Sequence, residues 1–321
     1  SRNVLTPSTV GDRSSSRLAR SAPGPPGRGS SARDGRKWPV RSGAVPPGSA
    51  YIRDVPEHPS LADIRAYLMG DSPMLAEQRK RFRHLPSDPR CKLCLVPFKG
   101  IGAVAMKPLG YGQSHGNPSM CNKCIVELRK QGVTGVEIPV TLVFSDVRGS
   151  TTIGEQMTPS AFRTFMGHFY DLATHAILGH DGLVDKIVGD EVIGLFFGGV
   201  SGPDHAGKAI AAALDLAERA ARPDATPMGA IPAGTGVHTG DAFVGATGLG
   251  EGVDDFTALG DTVNTTARLA SVAAAGEVLI SLVAAGAAGR STEGREKRCL
   301  TVKGRTQSID VVVEQVGSAV V

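Results

Sequence analysis

Apolar positions along the chain recur at two spacings, and the change from one to the other divides it. Residues 57–85 carry a helical pattern. Ser60 is a suitable cap for a helix bearing Leu61, Ile64, Ala66, Tyr67 and Leu68. Pro73 starts a second helical segment that runs to Phe82. Residues 125–131 are again helical and lead into a longer region where strands and helices alternate. Val140-Thr141-Leu142-Val143-Phe144 is a near-continuous β-branched and apolar run, which predicts a buried strand over Val136–Asp146. Thr158 caps a helix with Pro159 at its first position. Phe162, Phe165, Phe169, Leu172 and Ile177 then recur at helical spacing. Leu183–Val188 and Glu191–Phe197 read as strands joined by a tight turn at Gly189-Asp190. Ala206–Arg222 reads as a helix stopped by Pro223. Thr235–His238 and Ala242–Ala246 read as a second hairpin around Gly240-Asp241. Thr262–Ala274 is helical, and Val278–Ser281, Cys299–Val302 and Ile309–Glu314 are strands. The order β-α-β-β-α-β with a C-terminal extension predicts an α+β fold with a ferredoxin-like core.

Composition changes the picture at the N-terminus. Residues 1–50 hold nine Arg or Lys against two Asp, a net of +7, whereas the whole chain carries +4. The remainder is therefore acidic, and the basic balance belongs to a tail. That tail is rich in Ser, Gly, Pro and Arg and has too little apolar surface to offset its ordering entropy, so it is expected to be disordered. No run of about 18 apolar residues is present, so no membrane span is expected. The first thirty residues lack the apolar stretch of a secretory signal.

Four of the five cysteines form the pattern Cys91-x2-Cys94-x26-Cys121-x2-Cys124. Paired CxxC knuckles suit a structural zinc ion held by four thiolates. An iron–sulfur cluster or a redox switch is the rival reading. Without a secretion signal, the cysteines point to a reducing, cytoplasmic setting. Cys299 is expected to be a small buried hydrophobe. His238 is expected to be a packed histidine. The expected organisation is a tail at 1–50, a helical segment at 51–90, the four-cysteine module at 91–124, a linker at 125–137 and a catalytic domain at 138–316.

The chemistry lies in the alternating region. Asp146 ends the first strand and is followed by Val147-Arg148-Gly149-Ser150-Thr151-Thr152, a Gly- and hydroxyl-rich turn whose N–H groups could cradle phosphates. Asp190 occupies the tip of the next hairpin. Singly, an Asp at a strand end is usually a turn residue and a Gly-Asp pair merely a hairpin. In this fold, however, the strand and hairpin lie side by side. Two carboxylates would then converge on a pair of divalent metals, as phosphoryl chemistry requires.

Five motifs carry a family resemblance. Phe144-Ser145-Asp146-Val147-Arg148-Gly149-Ser150-Thr151 resembles the first metal-binding motif of class III adenylyl and guanylyl cyclases. Lys186-Ile187-Val188-Gly189-Asp190-Glu191 resembles the second. Gly236-Val237-His238-Thr239-Gly240, the run Leu259–Leu269 and Val302-Lys303-Gly304 resemble later elements in the family's order. The resemblance implies that Asp146 and Asp190 hold two Mg²⁺ or Mn²⁺ ions. It implies that Lys186 donates to adenine N1, where a Glu would select guanine. Thr257 matches the second base-selecting position, at which many adenylyl cyclases carry Asp; its hydroxyl can also accept. Asn264 matches the residue that orients the ribose. Arg268, one helical turn later, matches the arginine that stabilises the transition state. Lys303 matches the lysine that contacts the terminal phosphates. No arginine appears in Gly248–Val253, where some members supply another phosphate contact.

The resemblance further implies an adenylate cyclase that converts ATP to 3′,5′-cyclic AMP and pyrophosphate at a homodimer interface. The metal site would come from one subunit, and Asn264 and Arg268 from the other. The alternatives are a guanylate cyclase or a catalytically weak nucleotide-binding regulator. A zinc-ribbon nucleic-acid-binding protein is disfavoured by the acidic remainder and by the lack of an aromatic-basic stripe. Neither membrane nor nucleic acid is expected as a partner. Diguanylate cyclase is disfavoured because its Gly-Gly-Asp/Glu-Glu-Phe motif is missing.

Overall fold

The computed structural model describes residues 60–114, 118–130, 135–247, 255–301 and 308–317. The basic tail, Lys303 and the Gly248–Val253 loop lie outside the described residues. Helices α1 (Leu61–Met69) and α2 (Pro73–Phe82) come first. Ser60 and Asp63 form a reciprocal capping box. The Ser60 hydroxyl accepts from the Asp63 amide at 3.2 Å, and the Asp63 carboxylate accepts from the Ser60 amide at 3.0 Å. Gly70 ends α1 in the left-handed region, where a side chain would be strained. Helices α3 (Gly100–Met106) and α4 (Asn122–Lys130) belong to the cysteine segment.

The alternating region follows as β1 (Gly135–Val147), α5 (Ser150–Glu155), α6 (Pro159–Gly179), β2 (Leu183–Val188), β3 (Glu191–Phe197), α7 (Gly198–Ser201) and α8 (His205–Ala220). It continues as β4 (Ala233–Thr247), β5 (Asp255–Leu259), α9 (Asp261–Val272), β6 (Glu277–Ser281), α10 (Leu282–Ala287), β7 (Lys297–Leu300) and β8 (Ile309–Gln315). Among the described residues the strands form one eight-stranded sheet in the order β2-β3-β1-β4-β6-β8-β7, with β5 paired to β4. The run β2-β3-β1-β4 is the expected ferredoxin-like core.

β1 is buried on both faces, which is why its sequence is almost continuously apolar. Ile138, Val140, Leu142 and Phe144 face a core shared with α1, α2 and the cysteine segment. Val143 and Val147 face the opposite core, with Phe165 and Phe169 of α6 and Ile210 and Leu216 of α8. Polar residues on this second face are paired across strands. The Thr141 and Thr239 hydroxyls lie 2.8 Å apart, and those of Ser145 and Thr235 lie 2.9 Å apart.

Two sequence expectations are corrected. There is no hairpin at Gly240-Asp241. β4 runs unbroken through both residues, which pair with Val140 and Pro139 of β1. A Gly-Asp pair can turn, but a thirteen-residue ladder to β1 outweighs that local preference. The return strand is instead β5, which pairs with Phe243–Thr247. Cys299 is exposed rather than buried. It lies on the edge strand β7, opposite the exposed Asp310, so the alternation of the strand turns it to solvent. His238 is half-buried within a strand, and its Nδ1 lies 2.8 Å from the Ser281 hydroxyl.

Gly236 lets α9 approach the sheet. A β-carbon there would stand 2.4 Å from the Ala270 amide nitrogen and 2.8 Å from the Thr266 carbonyl oxygen. Backbone cannot yield as a flexible side chain would. No described helix is long and apolar enough to cross a membrane. Gly236→Ala is expected to push α9 off the sheet and to lower unfolding free energy by roughly 2–3 kcal/mol, read by thermal and urea denaturation.

Candidate active site and cysteine centre

Antiparallel pairing of β1 with β3 places Asp146 directly opposite Glu191. Asp190 precedes Glu191 in the β2–β3 turn, and its carbonyl accepts from the Val147 amide at 3.2 Å. Both sequence-predicted aspartates therefore meet at one end of the β1–β3 pair. Gly189 adopts a φ of 61°, so the turn needs its lack of a side chain. The Tyr170 hydroxyl donates to the Gly189 carbonyl at 2.5 Å and braces the turn from α6. The Ser150 hydroxyl donates to the Asp190 carboxylate. A cavity of about 390 Å³ opens here between α5, α6 and the hairpin, lined by Ser150, Thr151, Tyr170 and Asp190 among others.

The site holds more charge than its two aspartates. Burial pushes the Asp146 carboxyl above its ordinary range; Arg148 opposes the shift and Asp190 adds to it. Burial, reinforced by the charges of Asp146 and Asp190, pushes the Glu191 carboxyl up to about 7. The adjoining carboxylates of Asp146 and Asp190 are oxygen donors whose mutual repulsion a hard divalent cation would relieve, so these two residues fit Mg²⁺ or Mn²⁺. Arg148 pairs with Asp146 at 2.5 Å and donates to the Ser271 carbonyl of α9 at 2.9 Å. Arg148 and Glu191 were visible in the sequence only as parts of motifs. Their roles come from sheet register.

The two positions to which the family resemblance assigns base selection also converge. Thr257 on β5 is 2% exposed, and its hydroxyl donates to the Asp185 carboxylate of β2 at 2.8 Å, next to the half-buried Lys186. Asp185 was not anticipated. Its only sequence signal was adjacency to Lys186. On α9, Thr262, Thr265, Thr266 and Leu269 are buried, whereas Asn264 is exposed and Arg268 half-buried. The Thr262 hydroxyl anchors the helix to the Asp241 carbonyl at 2.5 Å. Among the described residues no hydrogen bond or ion pair joins the Asn264 or Arg268 side chain to Asp146 or Asp190.

The cysteines form a second centre. The Sγ atoms of Cys91, Cys94, Cys121 and Cys124 are all buried and lie within 4.8 Å of one another. The Cys91–Cys124 and Cys94–Cys121 separations are 3.8 and 3.7 Å. Thiolates at about 2.3 Å from one tetrahedral ion stand about 3.8 Å apart, so the geometry fits a single metal ion. Hydrogen bonds from Cys121, Cys124 and Cys94 hold the Cys91 thiol well below its ordinary range and favour a thiolate. The centre is tied to the rest of the fold. Arg79 of α2 donates to the carbonyls of Leu93, Gly70 and Gly199 at 2.7, 3.1 and 3.0 Å. Lys92 and Lys208 both pair with Asp181, just before β2.

Comparison with known proteins agrees with this geometry. Residues 136–315 match the adenylate and guanylate cyclase catalytic domain. The chain belongs to that family. It is 34% identical over 134 residues to adenylate cyclase 1 of Rhizobium meliloti, covering 40% of this chain and 20% of that protein. It is 31% identical over 157 residues to an adenylate cyclase of Anabaena cylindrica, covering 46% and 31%. It is 32% identical over 157 residues to the receptor-type guanylate cyclase Gyc76C of Drosophila melanogaster, covering 47% and 10%. The chain thus spans about a third or less of these relatives. The crystal structure of the guanylyl cyclase Cya2 superposes with a TM-score of 0.52 at 26% identity, covering 59% of this chain and 98% of that one.

Glu191 has a folded pKa above its unfolded value, so it favours folding at low pH and that contribution is lost as pH rises to about 7. In chelator, Glu191→Gln is therefore expected to gain stability relative to wild type as pH rises from about 4.5 to above 7; a pH-independent difference between the melting curves would contradict this. At the cysteines, one metal ion per chain is expected by elemental analysis. Co²⁺ substitution should give the absorption of a tetrahedral tetrathiolate, and Cys91→Ser should weaken it.

Proposed function

We propose that this cyclase domain is an adenylate cyclase that forms 3′,5′-cyclic AMP and pyrophosphate from ATP in intracellular signalling. The observation that carries the reaction is the convergence of Asp146 and Asp190, with Glu191, at one end of the β1–β3 pair. The preference for adenine is supported by Lys186, whose ammonium can donate to adenine N1; guanine carries a proton there. Relatives named for either nucleotide are similarly distant and do not separate the two.

Asp146 and Asp190 would hold two Mg²⁺ or Mn²⁺ ions, which supply positive charge to the triphosphate and acidify the ribose 3′-hydroxyl. That hydroxyl loses its proton to solvent, its oxygen bonds to the α-phosphorus, and the bond to the β-bridging oxygen breaks to release pyrophosphate. Lys186 and Thr257 hold the base. Asn264 orients the ribose, and Arg268 and Lys303 stabilise charge that grows on the phosphates. Because Asn264 and Arg268 stand on the outer side of α9, we assign them to the partner's site in a homodimer with two equivalent sites. The cysteine centre is assigned to structural Zn²⁺. Its sulfur separations fit one ion, whereas a cluster would interpose iron and sulfide and spread the thiolates. Four unbridged thiols favour a reducing, cytoplasmic setting.

Purified protein is expected to make cyclic AMP in Mg²⁺ or Mn²⁺, with Asp146→Ala and Asp190→Ala each reduced by about a thousandfold or more. Mixing inactive Asp146→Ala with inactive Arg268→Ala should restore activity through one intact site. No recovery in proven heterodimers would contradict the shared site, and cyclic GMP as the main product would contradict the role of Lys186.

A further inference from the structure

We infer that Asp185 is a specificity-determining residue: it fixes the Thr257 hydroxyl so that Thr257 presents only an acceptor to the exocyclic group of the base. This rests on the cyclase reading above and specifies how its base site discriminates.

The geometry begins with a defect in the sheet. Val184 pairs with Gly194 and Lys186 with Ile193, so the register shifts between them and Asp185 has no residue opposite it on β3. A bulge of this kind re-aims a side chain that regular alternation would turn elsewhere. Here it brings Asp185 to β5, where its carboxylate oxygen lies 2.8 Å from the Thr257 hydroxyl. β5 is itself held by pairing with β4, Thr257 opposite Gly245. Two elements distant in sequence are thereby locked together beside Lys186.

The hydrogen-bond chemistry follows. A threonine hydroxyl has one proton and two lone pairs, and alone it can donate or accept. It would then tolerate both the adenine amino group and the guanine carbonyl. An ionised carboxylate only accepts. Once the Thr257 proton is committed to Asp185, the Thr257 oxygen can only accept. An amino group satisfies it; a carbonyl oxygen meets like charge without a proton between. Asp185 thus converts a neutral, two-way residue into a one-way acceptor, and Lys186 beside it supplies the complementary donor. Asp185 acts through Thr257, so it is a positioning residue.

The test uses the full chain with ATP and GTP under one metal condition. Asp185→Asn can orient an amide donor toward Thr257 or the base, so the ATP:GTP ratio of kcat/KM is expected to fall about tenfold, chiefly through a higher KM for ATP. Thr257→Val should cause a similar fall, and the double variant should be no worse than either single one, because the two residues act as one unit. Thr257→Ser keeps the hydroxyl and should retain the preference. An unchanged ratio in Asp185→Asn, or losses that multiply in the double variant, overturns the inference. If Asp185→Asn does not fold, Thr257→Val against Thr257→Ser decides it: equal preference in both overturns the role of the hydroxyl. If wild-type protein turns over neither nucleotide, the cyclase reading fails by itself. Binding of methylanthraniloyl-ATP and methylanthraniloyl-GTP then reads the same ratio across the same variants.

Discussion

Antiparallel pairing of β1 with β3 holds Asp146 opposite Glu191, and the site depends on that register. A slip of one residue would turn every side chain of β1 to the other face. Asp146 would then enter the core that Val143 and Val147 fill, and the apolar run ending at Phe144 would face the wrong helices. The apolar content of β1 and the position of its carboxylate are therefore one constraint. Burial of both faces fixes the strand, and the fixed strand delivers the carboxylate.

The same pairing makes the site electrostatically costly when it holds no cation. Asp146 and Glu191 are raised above their ordinary range by burial and by their acidic neighbours. Arg148 offsets part of that repulsion and also reaches the last turn of α9. It connects the carboxylate end of the sheet to the helix that carries Asn264 and Arg268. The helix is held in turn by Gly236 and by the Thr262 hydroxyl. Packing constraints far from any reacting atom thus set where the polar residues of α9 stand.

The cysteine centre packs against the same face of the sheet as α1, and its residues belong to the core that β1 completes. Its ties to the alternating region are polar as well as apolar. Arg79 joins α1, the Cys91–Cys94 knuckle and α7 through three carbonyls. Lys92 and Lys208 share Asp181 at the entrance to β2. Burial raises that carboxyl and the two lysines outweigh it, holding it below its ordinary value. The centre is therefore built into the fold at the strand that carries Asp185 and Lys186.

The sequence by itself determined the elements whose signals are local. Ser60 and Thr158 named their caps, Gly189-Asp190 its turn, and the spacing of Phe165 and Phe169 the face of α6. It also named both aspartates, through the motifs around them that resemble a family, and the four cysteines, through the short-range CxxC pattern. What it misjudged or missed was set at long range. Gly240-Asp241 has turn chemistry, yet the ladder to β1 keeps it extended. Cys299 is an apolar residue type on a strand whose outer face meets solvent, and only the sheet order reveals that edge. Arg148, Glu191 and Asp185 find their partners across a sheet or a bulge. Local sequence records backbone preference and hydrophobic period. Which charged groups meet is decided by register and packing, because those bring together residues that the chain itself holds apart.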